Sequence, residues 1–120
     1  MHYPYSSKRG PDLLPSGPDR KMTTEPTPFV DTWKAMKKLL GTSKTRAIGV
    51  SHFSNIDLQQ IFNHSTIVPA VHQTELHPYL QKKDFVEWHA EKSIQITQFS
   101  PCGIRISFIG MWAEQKTSPR

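Results

Sequence analysis

The sequence predicts an α/β fold in which parallel strands alternate with helices. Three apolar segments with the character of strands lie at residues 46–50, 70–75 and 94–99, so their first residues recur at an interval of 24. Two stretches with helical character separate them. Crossovers of about 18 residues suit parallel strands joined through a helix, whereas antiparallel neighbours need only a short turn. The length of 120 residues fits one small domain.

The first 28 residues are rich in turn-forming residues. Six of the ten prolines precede Phe29, together with glycine and serine clusters. Such clusters interrupt regular structure, and we predict an irregular loop over residues 5–28. A loop of this length exceeds an ordinary connection between two elements, so it is either functional or disordered.

A first helix is predicted at residues 29–40, where apolar residues recur at helical spacing. Thr27 can cap its amino end, and Pro28 suits the first helical position because the missing N–H has no helical partner there. Gly41 is a natural place for the helix to end.

Two further helices lie between the predicted strands. The first covers residues 56–62, and Ser54 with Asp57 three residues later resembles the start of a capping box. The second covers about residues 82–92. His89 is interpreted as an ordinary residue on the face of that helix.

Polar residues follow each predicted strand. They are Ser51 and His52, then residues 73–77, then Ser100 and Pro101. Ligands of parallel α/β folds bind at the carboxyl ends of the strands, where loops and helix amino ends gather. The same residues could simply be loop residues and caps, so the sequence leaves a binding edge and a structural edge both open.

The charge pattern argues against a nucleic-acid partner. The net charge is +5, from fifteen Lys and Arg against ten Asp and Glu, but the basic residues are scattered. No aromatic-and-basic RNA motif occurs, so a solvated basic surface is the simpler interpretation. No apolar run is long enough for a membrane-spanning helix. The amino end lacks a signal-peptide pattern, so we expect a cytoplasmic location.

No metal site is expected. Cys102 is the only cysteine, which excludes an internal disulfide framework and a cysteine-rich zinc site. His72 and His77 are five residues apart, a spacing that places them on opposite faces of a strand. No His-Glu-x-x-His motif occurs.

Four segments of the sequence resemble the aldo-keto reductase family. They are residues 1–4 (MHYP), 48–53 (IGVSHF), 69–80 (PAVHQTELHPYL) and 96–101 (ITQFSP). The resemblance runs in order from residue 1 to about residue 103. It implies a partial (β/α)8 TIM barrel over residues 1–103, holding the end of strand 4 and strands 5 to 7, since whole barrels have about 250 residues. Residues 104–120 do not resemble the family and are interpreted as a divergent tail.

The resemblance also implies an activity, the NADPH-dependent reduction of aldehydes or ketones to alcohols. Of the family's catalytic Tyr, Lys, Asp and His, only the histidine has a counterpart here, His2. It would help to orient and polarise the substrate carbonyl, and Tyr3 would line the substrate pocket. We therefore expect the 120-residue chain by itself to be inactive. The alternative is a non-catalytic remnant or interaction fragment with at most weak cofactor binding, able to self-associate through exposed strand edges.

The positions that the resemblance assigns to NADPH follow the predicted strands. Ser51 and Gln73 match residues that hydrogen-bond the nicotinamide carboxamide. His52 replaces the usual asparagine, and Phe99 replaces an aromatic residue, usually tyrosine, that stacks on the nicotinamide ring. Ser100 matches a position near the pyrophosphate.

Overall fold

The computed structural model describes residues 1–12, 15–19 and 21–102. The predicted tail at residues 104–120 lies outside the described residues. The elements in chain order are β1 (Ser6–Ser7), β2 (Thr24–Glu25), α1 (Phe29–Leu40), β3 (Val50–Ser51), α2 (Asn55–His64), β4 (Val71–Glu75), α3 (Lys83–Glu91) and β5 (Gln95–Phe99). From α1 onward, helices and strands alternate as the sequence predicts.

The main sheet has three parallel strands in the order β3-β4-β5. Ser51 is the register partner of Gln73, and Gln73 is the register partner of Thr97. The prediction of three adjacent parallel strands is therefore confirmed. None of the helices in the described part of the chain has the length and hydrophobicity of a membrane-spanning segment.

The strand predicted at residues 46–50 is shorter and later than expected. Ile48 still accepts a hydrogen bond from the backbone N–H of Ala70 at 2.9 Å. Pro69, the residue before Ala70, has no N–H and cannot donate to a ladder. The carbonyl of Ala47 accepts a local hydrogen bond from Thr45 Oγ1 at 2.8 Å. Regular pairing with β4 begins at Val50.

The predicted cap of α1 is wrong by one residue. The N-cap is Pro28, whose extended backbone (φ −62°, ψ 128°) precedes the first helical residue, Phe29. No side chain caps this helix end, so Thr27 stands too early to do so. The carboxyl end agrees with the prediction, because the C-cap is Gly41.

The capping box predicted for α2 is present. Ser54 Oγ accepts a hydrogen bond from the backbone N–H of Asp57 at 3.2 Å. The carboxylate of Asp57 accepts in return from the backbone N–H of Ser54 at 2.9 Å. This reciprocal pair satisfies two backbone donors that have no helical partner.

The segment predicted as an irregular loop contains an antiparallel ladder. Ser6 pairs with Glu25 and Ser7 pairs with Thr24, which joins β1 to β2. A further bridge links Ser16 and Met22. Two-residue strands carry too little alternation to be recognised in the sequence.

The main sheet has one covered face and one open face. Along β4, His72 and Thr74 are buried, whereas Val71, Gln73 and Glu75 are exposed. Helices pack on the buried side, where the core consists of Trp33, Ile48, Val50, Phe53, Leu58, Ile61 and Ile94. The opposite face carries the polar residues of the candidate site.

Candidate functional site

Ser51 and Gln73 lie side by side on the open face. They are register partners on adjacent parallel strands, so their side chains point to the same side of the sheet. Ser51 is 6% exposed, and its hydroxyl has no hydrogen-bond partner among the described residues. A buried hydroxyl without a partner is costly, and a polar ligand group at this place would satisfy it.

The amino end of the chain is held beside β3, at the edge of the sheet opposite β5. The terminal ammonium of Met1 donates a hydrogen bond to the carbonyl oxygen of Gly49 at 2.7 Å. Burial lowers the pKa of this amino group. This contact positions His2 and Tyr3 near the carboxyl end of β3, where both rings contact His52.

Four aromatic rings from three separate parts of the chain meet at this end. The ring of Tyr3 stacks on His52 with a centroid distance of 4.9 Å. His2 meets His52 edge-on at 5.5 Å, and His52 meets Phe99 edge-on at 5.9 Å. His52 is thus the centre of an aromatic cluster formed by His2, Tyr3, His52 and Phe99.

The position of His52 follows from its backbone. Its φ of 57° lies in the left-handed region, where asparagine, aspartate and histidine are enriched among non-glycine residues. Its N–H donates to the carbonyl of Gln73 at 3.1 Å, which ties the turn to β4. Burial lowers the pKa of His52, and the nearby charges of His2 and Lys82 lower it further, against an opposite effect of Glu75.

Ser100 is the last of the predicted cofactor residues along the chain. It follows Phe99, the last residue of β5, and its φ is 53°. In the part of the chain that the structure describes, its side chain has no hydrogen bond with another predicted site residue. The structure thus brings together Ser51 with Gln73, and His2 and Tyr3 with His52 and Phe99, while Ser100 stands at the end of the third strand.

Two cavities meet at His2. One, of about 350 Å³, lies on the open face and is lined in part by His2, Ser51, Gln73 and Thr97. The other, of about 340 Å³, lies toward β1 and α1 and is lined in part by His2 and Tyr3. Its remaining lining includes four residues that the sequence did not indicate as site residues, namely Tyr5, Met22, Phe29 and Thr32.

A second set of polar contacts lies at the end of β4, near Glu75. His77 Nε2 lies 3.2 Å from Glu75 Oε1, within hydrogen-bond distance. Lys82 Nζ donates to Thr74 Oγ1 at 3.4 Å. Lys82 was not recognised in the sequence, because only the αL turn before α3 (φ 44°) directs it toward β4.

Comparison with known proteins places this chain beside enzymes of one family. The model of the aldo/keto reductase family matches residues 11–105. An uncharacterized oxidoreductase of Schizosaccharomyces pombe is 45% identical over 103 residues, which are 86% of this chain and 32% of that protein. Aldo-keto reductase family 1 member A1 of Xenopus tropicalis is 39% identical over the same length and covers the same shares.

Solved structures agree with the sequence comparisons. The aldose reductase of Giardia lamblia superposes with a TM-score of 0.79 at 30% identity, over 83% of this chain and 33% of that one. The aldose reductase of Schistosoma japonicum gives a TM-score of 0.76 at 32% identity, over 82% and 33%. The chain therefore spans about a third of the length of the relatives that it matches.

Proposed function

The chain belongs to the aldo/keto reductase family, and from this premise we propose that its open face forms the nicotinamide side of an NADPH-dependent carbonyl reductase site. The observation that carries the proposal is the unpartnered, buried hydroxyl of Ser51 beside the exposed Gln73. A carboxamide has both donors and an acceptor. A hydroxyl and a side-chain amide can between them offer both roles in return.

The other predicted residues have consistent roles around this pair. NADPH supplies a hydride when it is bound. Phe99 would offer a ring face to the nicotinamide, and Ser100 a hydroxyl to the pyrophosphate. His52, in place of asparagine, would present one ring donor or acceptor from the left-handed turn beside Ser51.

His2 and Tyr3 would form the substrate side. His2 lines both the cavity on the open face and the cavity toward α1. An imidazole N–H at this place would donate to the oxygen of a small aldehyde or ketone as negative charge develops on it. Tyr3 would contact the body of the substrate.

A second candidate is a non-catalytic chain that binds the cofactor weakly. It is favoured by the open face, on which Val71 and Phe99 are 36% and 41% exposed, so a ligand there would be enclosed on one side only. The matched segments also carry a counterpart for the family's histidine but none for its tyrosine, lysine and aspartate. Residues that act as one catalytic unit lose most of their effect when members are missing. We therefore propose that the purified 120-residue chain binds NADPH without turnover.

Titration of the chain with NADPH, followed by calorimetry, tests the site. Ser51→Ala and Gln73→Leu should each raise the Kd about tenfold, since each removes a hydrogen bond to a buried or oriented group. Gln60→Leu, on the exposed side of α2, is the matched control and should leave the Kd unchanged. Equal Kd values for all variants would overturn the proposed site, and no binding at all would favour an interaction fragment.

An assay of NADPH oxidation with an aromatic aldehyde separates the two candidates. We expect no turnover above the background rate. Turnover by the 120-residue chain that His2→Ala abolishes would show that the chain is a complete catalyst.

A further inference from the structure

Two histidines are fully buried on the covered side of the sheet, away from the proposed site. His72 lies on β4 and His89 on α3, and both are 0% exposed. His72 Nδ1 and His89 Nε2 are 2.7 Å apart. His89 lies on the buried face of α3, but its pairing with His72 was not predicted, and the proposed function uses neither side chain.

The outer nitrogens of this pair meet backbone groups of fixed polarity. The N–H of Phe53 donates to His72 Nε2 at 3.1 Å. His89 Nδ1 lies 2.7 Å from the carbonyl oxygen of Phe85. A backbone N–H only donates and a carbonyl oxygen only accepts, so His72 Nε2 must be bare and His89 Nδ1 must carry a proton.

These two constraints determine the tautomers of both neutral rings. Since Nε2 of His72 is bare, its Nδ1 carries the proton and donates to His89 Nε2. That nitrogen is bare because His89 holds its proton on Nδ1. The hydrogen bonds therefore run in one direction, from Phe53 through His72 and His89 to Phe85, and every ring nitrogen is satisfied.

We propose that His72 and His89 are positioning residues, which act as a hydrogen-bond relay that holds the turn at residues 51–53. The relay anchors Phe53, the residue after His52, while the N–H of His52 is held by Gln73. Two successive backbone N–H groups are thus fixed to β4, and the left-handed backbone of His52 lies between Ser51 and this second anchor. The consequence for cofactor binding rests on the proposed function; the relay itself does not.

The relay works only while both rings are neutral. A second proton on His72 would place an N–H against the N–H of Phe53, and one on His89 would place it against that of His72. The ionisable groups that face His72 are His89 and Lys82 on the α3 side and His52 on the turn, all of them basic. Burial first, and then these groups, lower the pKa of His72 to about 4. The pair therefore stays neutral at pH 7.

Long-range ¹H–¹⁵N spectra of the labelled 120-residue chain at pH 7 test the assignment directly. We expect both buried rings to be neutral, each with a proton on Nδ1 and a bare Nε2. A charged ring, or a proton on Nε2 of either residue, would overturn the relay. This measurement needs no variant and no cofactor.

Two variants of His72 separate positioning from packing. Glutamine places an acceptor near the position of Nε2, whereas asparagine reaches only as far as Nδ1. His72→Asn should lower the exchange protection of the Phe53 amide about tenfold, and His72→Gln should restore it, as expected for one lost hydrogen bond. The Leu58 amide donates to the backbone carbonyl of Ser54 in the first turn of α2, and its exchange protection reports whether each variant is folded.

Equal loss of Phe53 protection in both variants, with Leu58 protected, would mean that His72 acts only by packing. If the asparagine variant does not fold, the glutamine variant and the wild-type spectra still decide. A relay found intact in a chain that does not bind NADPH would contradict the proposed function alone.

Discussion

Gly49 lies against the backbone carbonyl of Val71 so closely that a Cβ atom on Gly49 would stand 2.5 Å from that oxygen. Real Cβ atoms do not approach backbone oxygens at this distance, so β3 and β4 would have to separate. We predict that Gly49→Ala lowers the free energy of unfolding by about 2 kcal/mol, as overpacking does elsewhere. Urea denaturation measures the change.

Gly10 is the matched control for this substitution. A Cβ atom on Gly10 meets nothing within 4 Å, and Gly10 is exposed. Gly10→Ala should leave the unfolding curve unchanged within error. Equal destabilisation by both variants would show that the close approach at Gly49 is not the cause.

Acid should destabilise the chain through His72. Its pKa is 6.5 when unfolded and about 4 when folded, so between these values the unfolded chain binds more protons. The contribution of neutral His72 to the free energy of unfolding is fully present above pH 6.5 and is lost as the pH falls through 4. The difference amounts to about 3 kcal/mol. Urea unfolding at a series of pH values should show the decline.

His72→Gln is the control for the acid prediction, since glutamine does not titrate. Its unfolding free energy should change less between pH 6.5 and pH 4 than that of the wild type. A parallel decline in both proteins would assign the acid sensitivity to other groups.

The capping box of α2 should contribute measurably to stability. Ser54→Ala removes the hydroxyl that accepts the N–H of Asp57, and we predict a loss of about 1 kcal/mol. Thermal unfolding followed by circular dichroism would show this as a lower Tm. Thr27→Ala is the control, because no side chain caps α1, and its Tm should match that of the wild type. A wild-type Tm for Ser54→Ala would contradict the prediction.

We propose that the chain self-associates through its main sheet. In the part that the structure describes, β5 pairs with β4 only, and its other edge has no strand partner. Such an edge can recruit a second chain. Sedimentation velocity should show association that grows with concentration, and Thr97→Lys, which places a charge on the exposed face of β5, should reduce it.

Gln60→Lys adds the same charge on the exposed surface of α2 and should not affect the association. A monomer at all concentrations, or an equal response to both lysines, would show that the sheet edge is not the contact.

The sequence predicts the order of elements well because its signals are local. The 24-residue interval and the alternation of apolar stretches define three strands and two crossovers, and Ser54 with Asp57 marks the start of α2. Parallel strands then bring their carboxyl ends together by geometry alone. This is why Ser51 and Gln73, 22 residues apart in sequence, could be expected to share one edge.

The remaining features depend on contacts between distant residues. The short ladder from Ser6 to Glu25 has no periodic signal, and the start of β3 at Val50 depends on its pairing with β4, a different segment. The sequence places His89 on one helix face with Phe85 and Val86, but it does not indicate that this face brings His89 onto His72. Their pairing follows from how the helix rests on the sheet, which a local pattern does not specify.

The alternation along β4 divides its positions into two sets that directed evolution can address separately. His72 and Thr74 are buried, so a library at these positions selects first for folded protein. Val71, Gln73 and Glu75 face outward, and changes at such exposed positions usually alter stability by less than about 0.5 kcal/mol. A library confined to the outward set therefore tests the proposed cofactor site within five residues of chain while the fold tolerates most of its members.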